Sequence, residues 1–215
     1  MHNLATLIAL YGTKVLTVVS TVVVAGMLTY SGFVLYDTVY TNRAAFSSSD
    51  LTQYRPTISE EEDEPSFEQL KEINNDTCAW VIFQDTNIDY PVVQGKDDRE
   101  YSMKDIHGKS SLTGSIYLSV ANAKDFTHSF NMVYGHHMDN GAMFGDIEKY
   151  EDSEFFQSHK KGYLITTRGV YDLEAFASLS ADAYDSRLYS AGDKDASGIA
   201  EDVFDGGVLF VNELE

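Results

Sequence analysis

The longest apolar stretch of the chain lies near its N-terminus. No charged residue occurs between Lys14 and Asp37, and the 22 residues from 15 to 36 are rich in Val, Leu and Thr. At about 1.5 Å of rise per residue they predict a helix of roughly 33 Å, long enough to cross the apolar core of a bilayer. Apolar sequence continues beyond Ala25-Gly26-Met27, so the pattern favours an uncleaved signal anchor over a cleaved signal peptide.

The charges on the two sides of this segment indicate its orientation. Lys14 and the α-amino group precede it, Arg43 follows it, and residues 44–215 hold 33 acidic and 13 basic side chains. Such a large acidic part is best placed outside the cell, with a short N-terminal part inside. We therefore expect residues 1–14 to form a cytoplasmic tail and the protein to cross the cell membrane once.

An acidic, mostly polar segment follows the predicted membrane helix. Residues 37–65 contain Ser47-Ser48-Ser49 and the run Glu60-Glu61-Glu62-Asp63-Glu64, with few large apolar side chains towards their end. This composition is typical of a solvated spacer. The sequence thus predicts an extracytoplasmic stalk over 37–65 and a folded domain over 66–215.

From Ala79 onwards the apolar positions alternate with the period of two that is typical of β-strands. The predicted strands cover 79–83, 88–93, 115–119, 131–134, 163–167 and 170–178, the last two forming a hairpin. A helix is predicted over about 142–150, and a second helical piece over 152–159. Many short strands with few helices predict a mostly β domain, either a barrel or a sandwich.

Composition narrows the classes of function. The chain has 215 residues, a formal net charge of −19, 43% hydrophobic and 13% aromatic residues. It is too apolar and aromatic to be wholly disordered, and its acidity argues against a nucleic acid partner, because phosphate binding needs Lys and Arg. The single cysteine, Cys78, excludes an internal disulfide and a zinc site with several cysteines.

The candidate chemistry lies where the fourth predicted strand ends. His136 follows Gly135 directly, and a turn and an apolar helical pattern come next. Glycine allows a sharp turn or a close approach, and histidine can exchange a proton near neutral pH. A histidine pair at a strand end is, however, more often a surface feature than a catalytic one, and both interpretations stay open on the pattern alone.

Two other chemistries compete for these residues. Adjacent strand residues face opposite sides, so His136 and His137 cannot easily bind one zinc ion, although His128 and Asp139 are conceivable further ligands. A thiol–imidazole pair of Cys78 and His136 is the other. Cys78 begins a strand, which is typical of a packing cysteine. We therefore expect neither a metal nor any other cofactor.

Several motifs in a fixed order carry a family resemblance from about Phe67 to about Phe176. The histidine motif is Tyr134-Gly135-His136-His137-Met138, followed by Gly141-x-Met143-Phe144-Gly145-Asp146 and Tyr150. The upstream motifs are Trp80-Val81-Ile82, Thr86-Asn87-Ile88-Asp89-Tyr90-Pro91-Val92-Val93-Gln94-Gly95-Lys96, Gly108-Lys109-Ser110-Ser111 and Gly114-Ser115-Ile116-Tyr117. Together, and with the N-terminal anchor, they resemble the class B sortases.

This resemblance implies a membrane-anchored cysteine transpeptidase of Gram-positive bacteria, of the cysteine peptidase class, with a sortase-like β-barrel. Such enzymes cleave a Leu-Pro-x-Thr-Gly or Asn-Pro-x-Thr-Asn type of sorting signal after its threonine, through a thioester. An amine on a peptidoglycan precursor or a pilin then resolves the thioester. By position, His136 would be the catalytic histidine, which protonates the leaving amine and later accepts a proton from the incoming one, and His137 only its neighbour.

The sequence departs from the family at two residues. The family's cysteine closes a Thr-Leu-x-Thr-Cys strand and its arginine stabilises the oxyanion from the next strand, but neither motif is present. Cys78 lies well before the histidine motif, and neither Arg168 nor Arg187 matches the arginine strand. We therefore expect an incomplete barrel, truncated before its last strands with the catalytic cysteine and arginine, and a polypeptide that is inactive alone.

The resemblance also indicates where a sorting peptide would bind. The corresponding positions hold Asp98 and Ser102, and the loop from Asp182 to Leu188. Ser102 stands where the family has a larger apolar residue. The expected partners are secreted proteins that carry a sorting signal, a peptidoglycan or pilin amine, and the membrane. The alternative function is a non-catalytic extracytoplasmic module that uses a sortase-like barrel for binding.

Overall fold

The computed structural model describes residues 3–45, 51–56, 67–182 and 208–214. The chain forms two compact units, Met1–Arg43 and Ala44–Glu215. Helix α1, Leu4–Ala45, dominates the first, and its side chains from Tyr11 to Tyr40 are all exposed. Its segment Tyr11–Thr41 is long and apolar enough to cross a membrane. The predicted anchor, residues 15–36, lies within that segment.

The second unit is built on one mixed β-sheet. Its strands are β1 (Thr77–Phe83), β2 (Asp89–Val93), β3 (Ile116–Leu118), β4 (Val133–Tyr134), β5 (Lys161–Thr166), β6 (Gly169–Asp182) and β7 (Val208–Leu214). They lie in the order β4-β3-β2-β1-β5-β6-β7, which is a curled half-barrel. The pairs β2–β3 and β6–β7 are parallel, and the other neighbours are antiparallel. The prediction of a mostly β domain with short helices is confirmed.

Short helices complete this unit. They are α2 (Glu68–Ile73), α3 (Ser153–Ser158) and two 3₁₀-helices, Thr52–Tyr54 and Gly145–Glu151. The carboxylate of Asp152 caps α3 by accepting a hydrogen bond of 2.8 Å from the amide of Phe155. The helix predicted over about 142–150 is wrong in its first turn. Gly141 and Met143 have left-handed backbones, with φ of 80° and 55°, and a regular helix cannot pass through them.

Two apolar clusters flank the sheet, because alternate side chains of a strand point to opposite faces. On β1, Val81 and Phe83 belong to one cluster and Trp80 to the other. The first cluster also holds Met143, Ile147 and Tyr150, the apolar positions that follow the histidine motif. The second cluster holds Leu51, Phe67, Leu70, Trp80, Val93, Tyr101, Ile106 and Ile165. The first cluster thus fixes the segment that follows the histidine motif, and the second fixes the segment around Tyr101.

Part of the predicted stalk packs against the domain. Leu51 is 7% exposed and belongs to the second cluster, and Pro56 is buried. The Arg55 guanidinium lies 2.9 Å from the Asp89 carboxylate on β2. Residues 51–56 are therefore a packed arm and not a spacer, which corrects the prediction for this part of 37–65. The acidic run from Glu60 lies outside the described residues.

Candidate active site

His136 lies two residues after the end of β4, at the strand end that the sequence predicted. Gly135 brings this backbone onto the core, since a Cβ there would lie 2.8 Å from a ring carbon of Phe144 and closer still to the Cδ1 of Ile116. No side chain fits in that space. The glycine therefore lets β4 end against the core and leaves the imidazole of His136 half-buried at the rim of the sheet.

One hydrogen bond orients the imidazole. The Nε2 atom of His136 lies 2.7 Å from the backbone carbonyl oxygen of Ser102. A carbonyl oxygen can only accept, so Nε2 carries a proton and donates it. In the neutral ring Nδ1 is then the basic nitrogen, the atom at which a proton can be taken up or released. The contact joins residues that are 34 positions apart in the sequence.

The loop after His136 folds back on the histidine. The amide of Phe144 donates to the carbonyl of His136 at 3.0 Å, and His137 and Met143 form an isolated antiparallel bridge. The amide of Met143 donates to the Tyr90 hydroxyl on β2 at 2.7 Å, which holds Met143 in its left-handed conformation. The sequence analysis quoted Tyr90 only as part of a motif and missed this role.

The side chain of Asp146 also holds the loop that follows His136. This side chain is 1% exposed, and its Oδ2 accepts a hydrogen bond of 2.8 Å from the amide of Asn87 in the β1–β2 turn. Its Oδ1 lies 2.7 Å from the Nζ of Lys149. Gly141 packs directly on this carboxylate, where no Cβ fits. In the sequence, the available signal was an acidic residue among the apolar positions of the predicted helix.

His137 lies on a different surface from His136. Its Nε2 is 3.5 Å from the Glu148 carboxylate and 3.7 Å from that of Asp139, and its side chain is exposed. Across the residues that the structure describes, no group of three or more His, Cys, Asp or Glu side chains is arranged to hold a metal ion. The zinc alternative therefore has no donor set in that part of the chain.

Cys78 is a buried packing residue, as its position predicted. Its side chain is 4% exposed on β1, and its Sγ donates to the carbonyl of Val92 at 3.4 Å. Burial raises the pKa of the thiol to about 12, and the neighbouring Asp76 carboxylate adds to the rise while Lys124 opposes it. The thiol is thus protonated at neutral pH and poorly suited to be a nucleophile.

The three residues predicted to bind substrate differ in where the structure places them. Ser102 meets His136 through its carbonyl, while its hydroxyl donates to the carbonyl of Arg99 at 2.8 Å. The carboxylate of Asp98 accepts hydrogen bonds from the Ser119 hydroxyl at 3.0 Å and the Val120 amide at 2.7 Å, and so closes the turn after β3. Leu188 lies outside the described residues.

The nearest downstream arginines do not reach the histidine in the described part of the chain. Arg168, at the β5–β6 turn, pairs with the Asp125 carboxylate at 3.1 Å. Arg187 lies outside the described residues. An open cleft of about 400 Å³ in the same region is lined mainly by charged side chains: Lys96, Asp97, Arg99, Glu100, Met103, Lys104 and Ser110.

Comparison with known proteins finds relatives with established names. No family model matches. Sortase B of Listeria monocytogenes is 29% identical over 167 residues, which cover 73% of this chain and 66% of that protein. Sortase B of Staphylococcus aureus is 31% identical over 125 residues, which cover 58% of this chain and 51% of that protein.

The fold matches as well. The crystal structure of a Streptococcus pyogenes class B sortase involved in pilus biogenesis is 35% identical, with a TM-score of 0.58, and the match covers 62% of this chain and 74% of that one. The chain spans 66% and 51% of the length of the two curated relatives. With the histidine motif at the strand end and the half-barrel around it, these likenesses show that the chain belongs to the class B sortase family.

Proposed function

We propose that this chain carries the histidine part of a cysteine transpeptidase that attaches proteins to the cell wall. The observation that carries the proposal is the half-buried imidazole of His136, held by the Ser102 carbonyl at the rim of a sortase half-barrel. The sequence resemblance adds the substrate, a sorting signal of the Leu-Pro-x-Thr-Gly or Asn-Pro-x-Thr-Asn type, cleaved after its threonine.

In the proposed reaction a cysteine thiolate attacks the threonine carbonyl carbon, and a carbon–sulfur bond forms. The carbon–nitrogen bond of the peptide then breaks, and His136 gives a proton to the departing amine. An amine of a peptidoglycan precursor or a pilin attacks the thioester, loses a proton to His136 and releases the thiolate. His136 thereby returns to its first protonation state.

The thiolate has to come from a cysteine other than Cys78. Cys78 is buried, donates its hydrogen to Val92 and has a pKa raised to about 12. The 215 residues contain no other cysteine. We propose that this polypeptide alone has no transpeptidase activity and that the membrane helix holds the catalytic unit on the extracytoplasmic side, where secreted substrates pass.

The experiment starts from the polypeptide as its own cells make it. An antibody against residues 67–182 captures it from solubilised membranes, mass spectrometry gives its length, and fluorogenic peptides of both sorting-signal types test for cleavage. We expect cleavage that an alkylating reagent abolishes, and His136→Ala should lower it about 100- to 10,000-fold. The matched control, His137→Ala, should retain it.

Three results would contradict this proposal. Full activity in His136→Ala would remove the proton-transfer role. Thiol-dependent cleavage by the 215-residue polypeptide would show that Cys78 is the nucleophile after all. Lack of cleavage by the captured protein, with retained binding of the sorting peptide, would support the second candidate, a binding module. The observation that favours this candidate is the burial of Cys78, the single cysteine of the 215 residues, whose pKa is raised to about 12.

A further inference from the structure

The turn between α2 and β1 holds the segment that meets His136. This segment, residues 94–106, is called the 94–106 loop. The Asp76 carbonyl accepts from the amide of Gln94 at 2.9 Å, and the Asn74 Nδ2 donates to the carbonyl of Ile106 at 2.9 Å. Both ends of the loop are therefore attached to one turn, Asn74-Asn75-Asp76.

Tyr101 attaches the middle of the loop to the same turn. Its Oη accepts from the Asn74 Nδ2 at 2.7 Å and donates to the Asp76 Oδ2 at 2.8 Å. The side chain is 4% exposed and lies in the second apolar cluster. Burial raises the pKa of the hydroxyl to about 12, so it keeps its proton and the bond to Asp76 is present at neutral pH.

The backbone beside Tyr101 is equally fixed. Its carbonyl accepts from the amide of Ser115 at 2.9 Å. Gly114, with a φ of 57°, lets the two segments approach, because a Cβ there would lie 2.6 Å from the Ser102 carbonyl oxygen. That oxygen is the one that accepts from the Nε2 of His136 at 2.7 Å. A displaced Tyr101 would therefore carry the acceptor of His136 with it.

We propose that Tyr101 is a positioning residue for His136: its hydroxyl, held between Asn74 and Asp76, fixes the Ser102 carbonyl and so selects the imidazole tautomer with its proton on Nε2. Tyr101 acts through the backbone of the next residue and does not touch substrate. The inference deepens the proposed function, on which its catalytic meaning rests. The geometry itself can be tested without any activity.

The test uses the full chain in detergent micelles, labelled with ¹⁵N-histidine, and the His136→Ala spectrum assigns the ring signals. NMR reports the tautomer of the neutral ring and the exchange rate of the Nε2 proton. In the unchanged chain we expect the Nε2–H tautomer and a slowly exchanging proton. Tyr101→Phe should give a mixture of tautomers and lose the slow exchange, while the fold is retained.

Two controls separate positioning from stability. Tyr150→Phe removes an equally buried hydroxyl, which donates to the His159 carbonyl at 2.8 Å, and should leave the His136 signals unchanged. Asp76→Asn keeps an oxygen that can accept from Tyr101 and should also leave them unchanged. If Tyr101→Phe does not fold, Asp76→Ala keeps the tyrosine ring in the core and should cause the same tautomer mixture.

The inference is overturned if Tyr101→Phe folds and the His136 tautomer and exchange rate stay as in the unchanged chain. It is also overturned if Tyr150→Phe alters them as much, since the effect would then be general loosening. Failure of the peptide-cleavage assay would leave these spectra as they are. The spectra thus judge the positioning role, and the cleavage assay judges the proposed function.

Discussion

Treating the folded chain with iodoacetamide at pH 8 tests the assignment of Cys78 as a packing residue. The reagent reacts with thiolates, so the rate depends on the ionised fraction of the thiol. Burial raises the pKa of Cys78 from 9.0 to about 12. The thiolate fraction at pH 8 then falls from about 10% to about 0.01%, and alkylation should be about 1,000-fold slower than at an exposed cysteine.

The assay follows the mass of the intact chain over time, at low reagent concentration and without denaturant. The matched control is the double variant Cys78→Ser, Ser129→Cys, which moves the single thiol to an exposed position in the loop before β4. Adding urea should make both proteins react equally fast. If folded wild-type protein reacted as fast as the control, the thiol would be accessible and ionised, and the reasoning about Cys78 would be refuted.

The same raised pKa predicts an alkaline loss of stability. Above pH 9 the unfolded thiol loses its proton before the folded one does, which favours the unfolded state. The contribution of Cys78 is therefore complete below pH 9 and disappears as the pH rises towards 12. At about 1.4 kcal/mol per pKa unit, up to about 4 kcal/mol is lost. Urea unfolding of the wild type and Cys78→Ala should show this difference, since the buried tyrosines contribute equally to both.

Three further substitutions test the packing that builds the site. Gly135→Ala should cost about 1–3 kcal/mol in urea unfolding, since its Cβ overlaps the Phe144 ring, and an unchanged midpoint would contradict that contact. Leu51→Ala should cost about 2–5 kcal/mol, whereas a residue in a solvated spacer would cost nothing. Trp80→Phe removes the indole N–H that donates to the Asp89 carboxylate at 2.6 Å. The free energy of unfolding, followed by circular dichroism, should fall by about 1–3 kcal/mol. A loss below about 0.5 kcal/mol, on the order of a surface substitution, would show that this hydrogen bond is not needed.

Some features of this chain follow from local sequence alone. The membrane-length helix is predicted by an uncharged run of 22 residues, because helix length and hydrophobicity are local properties. The strands β1 and β2 are predicted by their short apolar runs, since a strand in the core of a sheet is short and apolar. The strands β5 and β6 are predicted by the turn between them. The position of His136 after a glycine at a strand end belongs to the same class.

Local pattern failed where a distant contact outweighed it. The apolar spacing from Met143 to Tyr150 predicted a helix, and those residues are buried as expected. Their backbone differs because the Tyr90 hydroxyl holds Met143 in a left-handed conformation. Composition likewise predicted a spacer around Leu51, but the arm is attached by Leu51 and Tyr54 in the second apolar cluster and by the ion pair of Arg55 with Asp89.

The sequence by itself determined the apolar helix of membrane-spanning length, the mostly β domain and the histidine at the end of β4, since each depends on residues close together in the chain. Only the tertiary structure decided that Ser102 accepts from His136 and that Tyr101 fixes this acceptor. These properties depend on groups tens of residues apart. Their distances are set by how separate segments of the chain pack against one another, which no local pattern encodes.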